Sequence, residues 1–312
     1  MSVAAGDRLA GLAAWLDAQD GDGATHEVVA VERPAAGYSS ETALVDVRRH
    51  PAPHRPAPHH PAPHYPDSGT TVASPMPPAW SQNEGREVGE GSGGAVERLV
   101  VKLPPAGPAI FPAYDFAMQA AVQEAVAAAG IPAPAPARSE ADERWLGAPF
   151  LVMPAVAGHI VGEVPALDRR LAAAGEPANQ ALHTAFVELV ADVNRVDWRA
   201  AGLAAVLPHR DNGAELAYWR DYLAWYADGE VVVPALVDAL DWCVAHRPAS
   251  EPVPSLRWGD VRLENVILDD DLRPVAVLDW EMASVGAAEH DLAWLTTLQA
   301  TQDALVGRKV VG

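Results

Sequence analysis

The segment Arg257 to Trp294, RWGDVRLENVILDDDLRPVAVLDWEMASVGAAEHDLAW, constrains this chain more than any other stretch. Two short apolar runs, NVIL and VAVL, flank DDDLRP, whose acids and proline make a tight turn, so the segment is expected to fold as a β-hairpin. Such a hairpin returns the end of its second strand to the start of its first. Asn265 opens the first strand and Asp279 closes the second, so the two become neighbours, with Asp260 on the adjoining loop. A plain core hairpin would carry valine or threonine at such positions. An amide oxygen and a carboxylate converging at one mouth make a hard-oxygen site suited to magnesium, which keeps waters and shares phosphate oxygens. A further carboxylate nearby can accept a proton from a substrate hydroxyl. That is a layout for phosphoryl transfer.

The 312 residues leave room for two domains or two lobes of one, and 49% apolar content supplies a substantial core. Twenty-two basic against 42 acidic residues give a formal charge of −20, a field that repels polyanions, so nucleic acid is excluded as a partner. Cys243 is the only cysteine, which excludes an internal disulfide and a cysteine-based zinc site. No apolar run is long enough to span a membrane, and the N-terminal MSVAAGDRLAGLAAWLDAQDGDG lacks a basic leader, so a cytoplasmic protein without a membrane partner is expected.

Along the chain, Leu9, Leu12, Trp15 and Leu16 recur at helical spacing, and HEVVAVERP, ETALVDVRR and ERLVVKLPP read as three strands. Between the second and third lies a Pro/His/Gly-rich stretch, residues 50–94, opening with repeated Pro-Ala-Pro-His and lacking apolar periodicity. It reads as a disordered insertion, which a hairpin can carry because lengthening its loop tenfold costs only about 2 kcal/mol. Its histidines read as part of a solvated linker or, alternatively, as a weak metal trap. A helix follows in YDFAMQAAVQEAVAAAG, then a strand and connector in APFLVMPAVAGH, then three helices in ANQALHTAFVELVADVNRV, GAELAYWRDYLAWYADG and PALVDALDWCVAHR. Tyr218, Tyr222 and Trp225, at helical spacing, are expected to pack in the core. The order is a small sheet with one helix, residues 1–155, then a mainly helical half, residues 156–312.

The D-x-x-x-x-N spacing from Asp260 to Asn265, followed by an acid at a strand end, resembles the catalytic loop and metal-binding aspartate of protein kinases. The fuller GDVRLENVILDDDLRPVAVLDWEMASVGAAEHDLAW is more similar to the aminoglycoside phosphotransferase and phosphotransferase enzyme family. Within it, the chain resembles the branch related to the kinase-like domain of acyl-CoA dehydrogenase fusion proteins. The resemblance implies an α+β, two-lobed protein-kinase-like fold with a small antiparallel-sheet N-lobe and a helical C-lobe carrying the catalytic hairpin. It implies ATP and magnesium as cofactors and a small-molecule hydroxyl acceptor, aminoglycoside-like or a hydroxylated acyl or other metabolite.

Carried over, Asp260 becomes the carboxylate that orients or deprotonates the acceptor, and Asn265 and Asp279 become the magnesium ligands. Arg262 stands where protein kinases hold a phosphate-contacting lysine. Lys102, at the end of LVVK, takes the place of the lysine that pairs with the nucleotide phosphates. Gly37, Ser39 and Ser40, in GYSSE, take the place of the phosphate-covering turn, and VMPAV, with Met153 and Val156, that of the adenine hinge. Gln119 aligns with the helix glutamate that partners the lysine, and Trp258 stands where the family has histidine. Asp291 is expected to cap the helix at HDLAWL, and Glu281 reads as a surface residue or a third member of the metal shell. The chain runs about twenty residues beyond Asp291, which gives a short C-lobe on the family's pattern. The alternative to an active kinase is a catalytically impaired, kinase-like nucleotide-binding or interaction protein; a hydrolase with paired acids is a third reading.

Overall fold

Three strands of alternating burial form the first sheet: β1 (Thr25–Glu32), β2 (Glu41–His50) and β3 (Val96–Leu103). In a computed structural model describing residues 5–34, 39–52, 94–162, 164–228, 233–251 and 253–306, β3 also pairs with β5 (Phe150–Pro154), and β5 with β4 (Arg138–Glu140). The antiparallel order is β1-β2-β3-β5-β4. One face of this sheet carries Val45, Val47, Leu99, Val101 and Phe150 against Leu12, Trp15 and Leu16 of helix α1 (Ala5–Asp20). Lys102, one residue on from Val101, points to the opposite face, as the two-residue period of a strand requires. The expected strands and first helices are all present.

Of residues 50–94, His50, Pro51, Ala52 and Gly94 are described and 53–93 lie outside the described residues, as does Gly37. The strands that flank this stretch are direct neighbours: Arg48 pairs with Val96, and Arg49 N–H donates to Ala95 O at 3.3 Å. The chain therefore leaves and re-enters the sheet at one point, which a short turn can close. Replacing 53–93 by a four-residue turn is expected to leave the unfolding midpoint within a few degrees, or slightly raised, because the shorter loop costs less closure entropy. A scanning calorimetry trace showing lost cooperativity would make the stretch part of the core.

Helix α2 (Phe116–Ala128) starts where Asp115 accepts the Met118 N–H at 2.8 Å. Its Met118, Val122 and Val126 do not stay with the sheet's α1 side. They join the largest core, with Phe186, Val190 and Val193 of α4 (Glu176–Arg195) and with Trp258, Val266, Val277 and Trp280. Before α4 come β6 (His159–Ile160) and α3 (Arg169–Ala174); after it come α5 (Asn212–Ala227) and α6 (Pro234–Ala245).

Two small sheets carry the segment that opened the sequence reading. β7 (Pro254–Arg257) pairs with β10 (Ser284–Ala287), and β8 (Val266–Leu268) lies between β6 and β9 (Pro274–Val277). α7 (Glu289–Val306) follows. The β7–β10 pair has no counterpart in the sequence reading, because SLR and SVGA are too short to show a period.

One expectation is corrected here. Tyr218, Tyr222 and Trp225 are not core residues: α5 and α6 have no buried side chain, and Trp225 is 38% exposed. The rings instead pack on one another, Tyr222 against Tyr218 and Tyr226 at 6.3 and 6.1 Å. Tyr222 Oη donates to Ile110 O at 2.7 Å, in the segment between β3 and α2. The helical period was right, but a period specifies a shared face and not what covers it.

Candidate functional site

The hairpin folds as its residues dictate. Asp269 Oδ1 accepts the N–H groups of Asp271 and Arg273 at 2.9 and 2.8 Å, which closes the DDDLRP turn. Val266 then pairs with Val277, and Leu278 N–H donates to Asn265 O at 2.9 Å. The expected first-strand residue Asn265 sits just outside β8, in the one-turn 3-10 helix Leu263–Asn265, and Asp279 lies two residues beyond β9.

The loop ahead of Asp260 is held from behind. Asp291, 1% exposed, accepts from Trp258 N–H at 2.9 Å, Gly259 N–H at 3.0 Å and Asn194 Nδ2 at 2.8 Å. It lies within the first turn of α7 and clamps the loop at Trp258 and Gly259, so the expected helix cap is corrected to a loop anchor. Burial raises the Asp291 carboxyl above the usual range despite these donors. Asp291→Ala would orphan three donors and is expected to cost about 3 kcal/mol or more, read from urea unfolding. A loss under about 1 kcal/mol would deny it that role.

Gly259 has φ +91°, and a Cβ there would run into the Met282 carbonyl oxygen. Trp258, fully buried, fills the family's histidine position with a hydrogen-bonding role of its own: its indole N–H donates to Leu278 O at 2.9 Å and Asp279 O at 3.3 Å. The loop bearing Asp260 and the segment bearing Asp279 are thereby fastened together.

The carboxylate of Asp260, 9% exposed, is engaged at both oxygens. Asn265 Nδ2 donates to Oδ2 at 2.8 Å, and Arg262 Nε lies 3.0 Å from the same oxygen. Trp294 Nε1 donates to Oδ1 at 3.1 Å. Trp294 closes the quoted segment, yet nothing in its local pattern marked it; α7 delivers it from 34 residues away.

Asp279 is reached from the other side. Its φ of +63° is a left-handed conformation that costs a non-glycine residue about 1–2 kcal/mol, and aspartate tolerates it better than most. Lys102 Nζ, on β3, lies 2.8 Å from Asp279 Oδ1 across 177 residues of chain. Burial draws the Lys102 ammonium down, but the Asp279 and Glu281 carboxylates outweigh it and leave it above its usual value. Gln119, aligned with the lysine's helix partner, is 2% exposed with its Nε2 unpartnered, and the carboxylate on Lys102 is Asp279.

Glu281 lies in this site and not on the surface. Burial and the neighbouring Asp279 push its carboxyl up to about 7, opposed by Lys102, and its Oε2 has no hydrogen-bond partner. Ser39 bonds the same carboxylate, so the first turn of the sheet comes down on this end of the site. Ser40 is buried beside it in sequence. Because the folded pKa stands above the ordinary 4.5, the folded protein without metal or nucleotide holds a proton that the unfolded chain has lost between about pH 4.5 and 7, and the stability this gives is fully present below about pH 4.5. That stability is lost as pH rises through 7. The loss is on the order of 3 kcal/mol, and Glu281→Gln is expected to flatten that part of a stability–pH profile measured in EDTA. An unchanged slope in the variant would contradict the assignment.

On the same face of the sheet as Lys102, Met153 pairs with Val100, and its sulfur accepts from Gln123 Nε2 at 3.3 Å. Val156, half-buried, follows the end of β5, where Ala155 N–H donates to Arg98 O at 2.9 Å. The sequence-derived residues thus form two groups, Asp260 hydrogen-bonded to Asn265 with Arg262 in ion-pair contact, and Lys102 with Asp279, linked through the Trp258 indole. Among the described residues no helix is long and apolar enough to cross a membrane.

A model of the phosphotransferase enzyme family matches residues 77–310. The chain belongs to that family. Among curated proteins, this chain is 29% identical over 206 residues to acyl-CoA dehydrogenase family member 11 of Gallus gallus, covering 64% of this chain and 25% of that protein. The Homo sapiens counterpart is 27% identical over 206 residues, covering 63% and 25%. The chain spans about a quarter of the length of these relatives. Among solved structures, aminoglycoside phosphotransferase APH(4)-Ia, as a ternary complex with ADP and hygromycin B, superposes with a TM-score of 0.54 at 13% identity, covering 95% of this chain and 81% of that one. The GDP complex of aminoglycoside 2'-phosphotransferase-IIIa gives 0.50 at 12% identity, covering 96% and 83%. At such identities the likeness is one of fold: α+β, with the two lobes of the kinase-like phosphotransferases.

Proposed function

We propose that this small-molecule phosphotransferase moves the γ-phosphoryl group of ATP, with magnesium, onto a hydroxyl of its acceptor. The observation that carries the reading is the Lys102–Asp279 contact, which joins the sheet half to the catalytic hairpin beside Asp260 and Asn265. The nucleotide side comprises Lys102, Ser39, Ser40, Gln119, Met153 and Val156, with 1–155 as the nucleotide-binding lobe and 156–312 as the lobe of the catalytic loop. Gly37, which belongs to the same proposal, lies outside the described residues.

The donor set fits magnesium. Asp279 and the amide oxygen of Asn265 are hard ligands, and the Oε2 of Glu281 adds a buried carboxylate oxygen without a hydrogen-bond partner. Among the described residues no three His, Cys, Asp or Glu side chains enclose a metal by themselves. A magnesium ion that completes its shell with phosphate oxygens and water needs no such cage. When bound, the ion supplies charge neutralisation for the transferring phosphoryl group.

The chain's own residues do the rest. Asp260 orients the acceptor hydroxyl and accepts its proton as the oxygen bonds to phosphorus, and Asn265, Arg262 and Trp294 hold that carboxylate in place. Lys102 offsets phosphate charge, and Arg262, 39% exposed at its side chain, has the freedom to turn toward the transferring group. The acceptor is aminoglycoside-like or a hydroxylated acyl or other metabolite. The second reading, a nucleotide-binding protein without transfer, draws on Gln119, which cannot neutralise Lys102. ADP release on addition of alcohol and aminoglycoside acceptors to the protein with MgATP tests the first reading; MgATP binding with no acceptor phosphorylated favours the second.

A further inference from the structure

A cavity of about 410 Å³ lies under the catalytic segment, between α3, the N-terminal half of α4 and the middle of α7. The residues of the nucleotide side, Lys102, Ser39 and Met153, do not line it, nor does Asp279. It touches the catalytic machinery at one place, Val261 to Glu264, the stretch between Asp260 and Asn265. Arg262, on its wall, lies 3.0 Å from Asp260 Oδ2. Leu295, also on its wall, follows Trp294, which donates to Asp260 Oδ1. The cavity is therefore lined by one of the three side chains that hold the Asp260 carboxylate, Arg262, and by the neighbour in sequence of a second, Trp294.

Its walls have a definite chemistry. Leu171, Leu182, Phe186, Leu295 and Leu298 make much of the lining apolar. The charged groups are two carboxylates, Glu176 and Glu264, against one guanidinium, Arg262. A polycation needs several carboxylates to replace its hydration, and this lining supplies too few. Asn179 adds a specific polar group: its Nδ2 donates to Leu171 O at 3.0 Å, while its buried Oδ1 has no partner. An O–H or N–H donor on a ligand would satisfy it. Volume and lining match a site for one small, mostly apolar molecule with few polar groups.

Resting on the phosphotransferase reading, we propose that this cavity receives the body of the acceptor, an alcohol that is largely apolar and carries no net positive charge, with its hydroxyl directed to Asp260. The test uses 1-hexanol and kanamycin as probes on the full chain. In ¹⁵N-labelled protein, 1-hexanol is expected to shift the side-chain amide resonances of Asn179 and Gln299 saturably, and with them the indole N–H of Trp294. Leu298→Trp, which fills the cavity, is expected to weaken this at least tenfold, and Ala172→Phe, at an exposed position on the rim, to do the same if Leu298→Trp does not fold. Kanamycin is expected to leave these resonances in place. Equal 1-hexanol affinity in the filled variant, shifts that leave Trp294 untouched, or kanamycin occupying the cavity would each overturn the proposal. Absence of MgATP stabilisation with hexanol binding intact would instead count against the phosphotransferase reading alone.

Discussion

Asp260→Asn is expected to lower phosphate transfer by about 10²–10⁴-fold while leaving MgATP binding within a few-fold of the wild type. The amide keeps the size of the carboxylate but has one acceptor oxygen, so it can accept from Trp294 or from Asn265 and not from both. The loop itself is held by Asp291 and stays folded. What it cannot do is take the acceptor's proton. If the variant turned over at more than about a third of the wild-type rate, Asp260 would be a structural acid and the proton would go elsewhere.

The second large effect is at Asp279. Its carboxylate is the partner of Lys102, and the residue follows Leu278, whose N–H bonds Asn265 at the hairpin mouth. Asp279→Ala is expected to reduce transfer by about 10³-fold or more, because in the proposed site it removes a magnesium ligand worth several kcal/mol of charge stabilisation. The two variants fail differently: the first binds nucleotide and does not react, and the second loses the metal-dependent part of binding. Raising the magnesium concentration should restore part of the Asp279→Ala rate and none of the Asp260→Asn rate.

The hairpin was legible because what folds it is short-range, whereas Trp294 and Lys102 reach its acids from other elements. The DDDLRP turn sets the register, and the register sets Asn265 beside Leu278 and Asp279. Family likeness then singled out Lys102 as a lysine for nucleotide phosphates, but its contact with Asp279 was not legible in the sequence. The misses have a common cause. Asp291 was taken as a local cap because its pattern is that of a helix start, while its three bonds run to Trp258, Gly259 and Asn194 in other elements. Trp294 reaches Asp260 only because α7 packs where it does. Tyr218 and Tyr222 share a helical face, but the sequence does not say that the face meets a loop at Ile110 and solvent in place of a core. In each case a one-dimensional period or motif identified the residue's neighbours on its own element and left its partner across the fold open.

The central claim is a metal-dependent nucleotide site made by Asn265 and Asp279 opposite Lys102. Thermal unfolding with ATP, in magnesium and again in EDTA, addresses it most directly. A midpoint that rises severalfold more in magnesium than in EDTA, with the difference kept by Asp260→Asn and abolished by Asp279→Ala, is the predicted result. A magnesium-dependent rise that survives Asp279→Ala unchanged would contradict it.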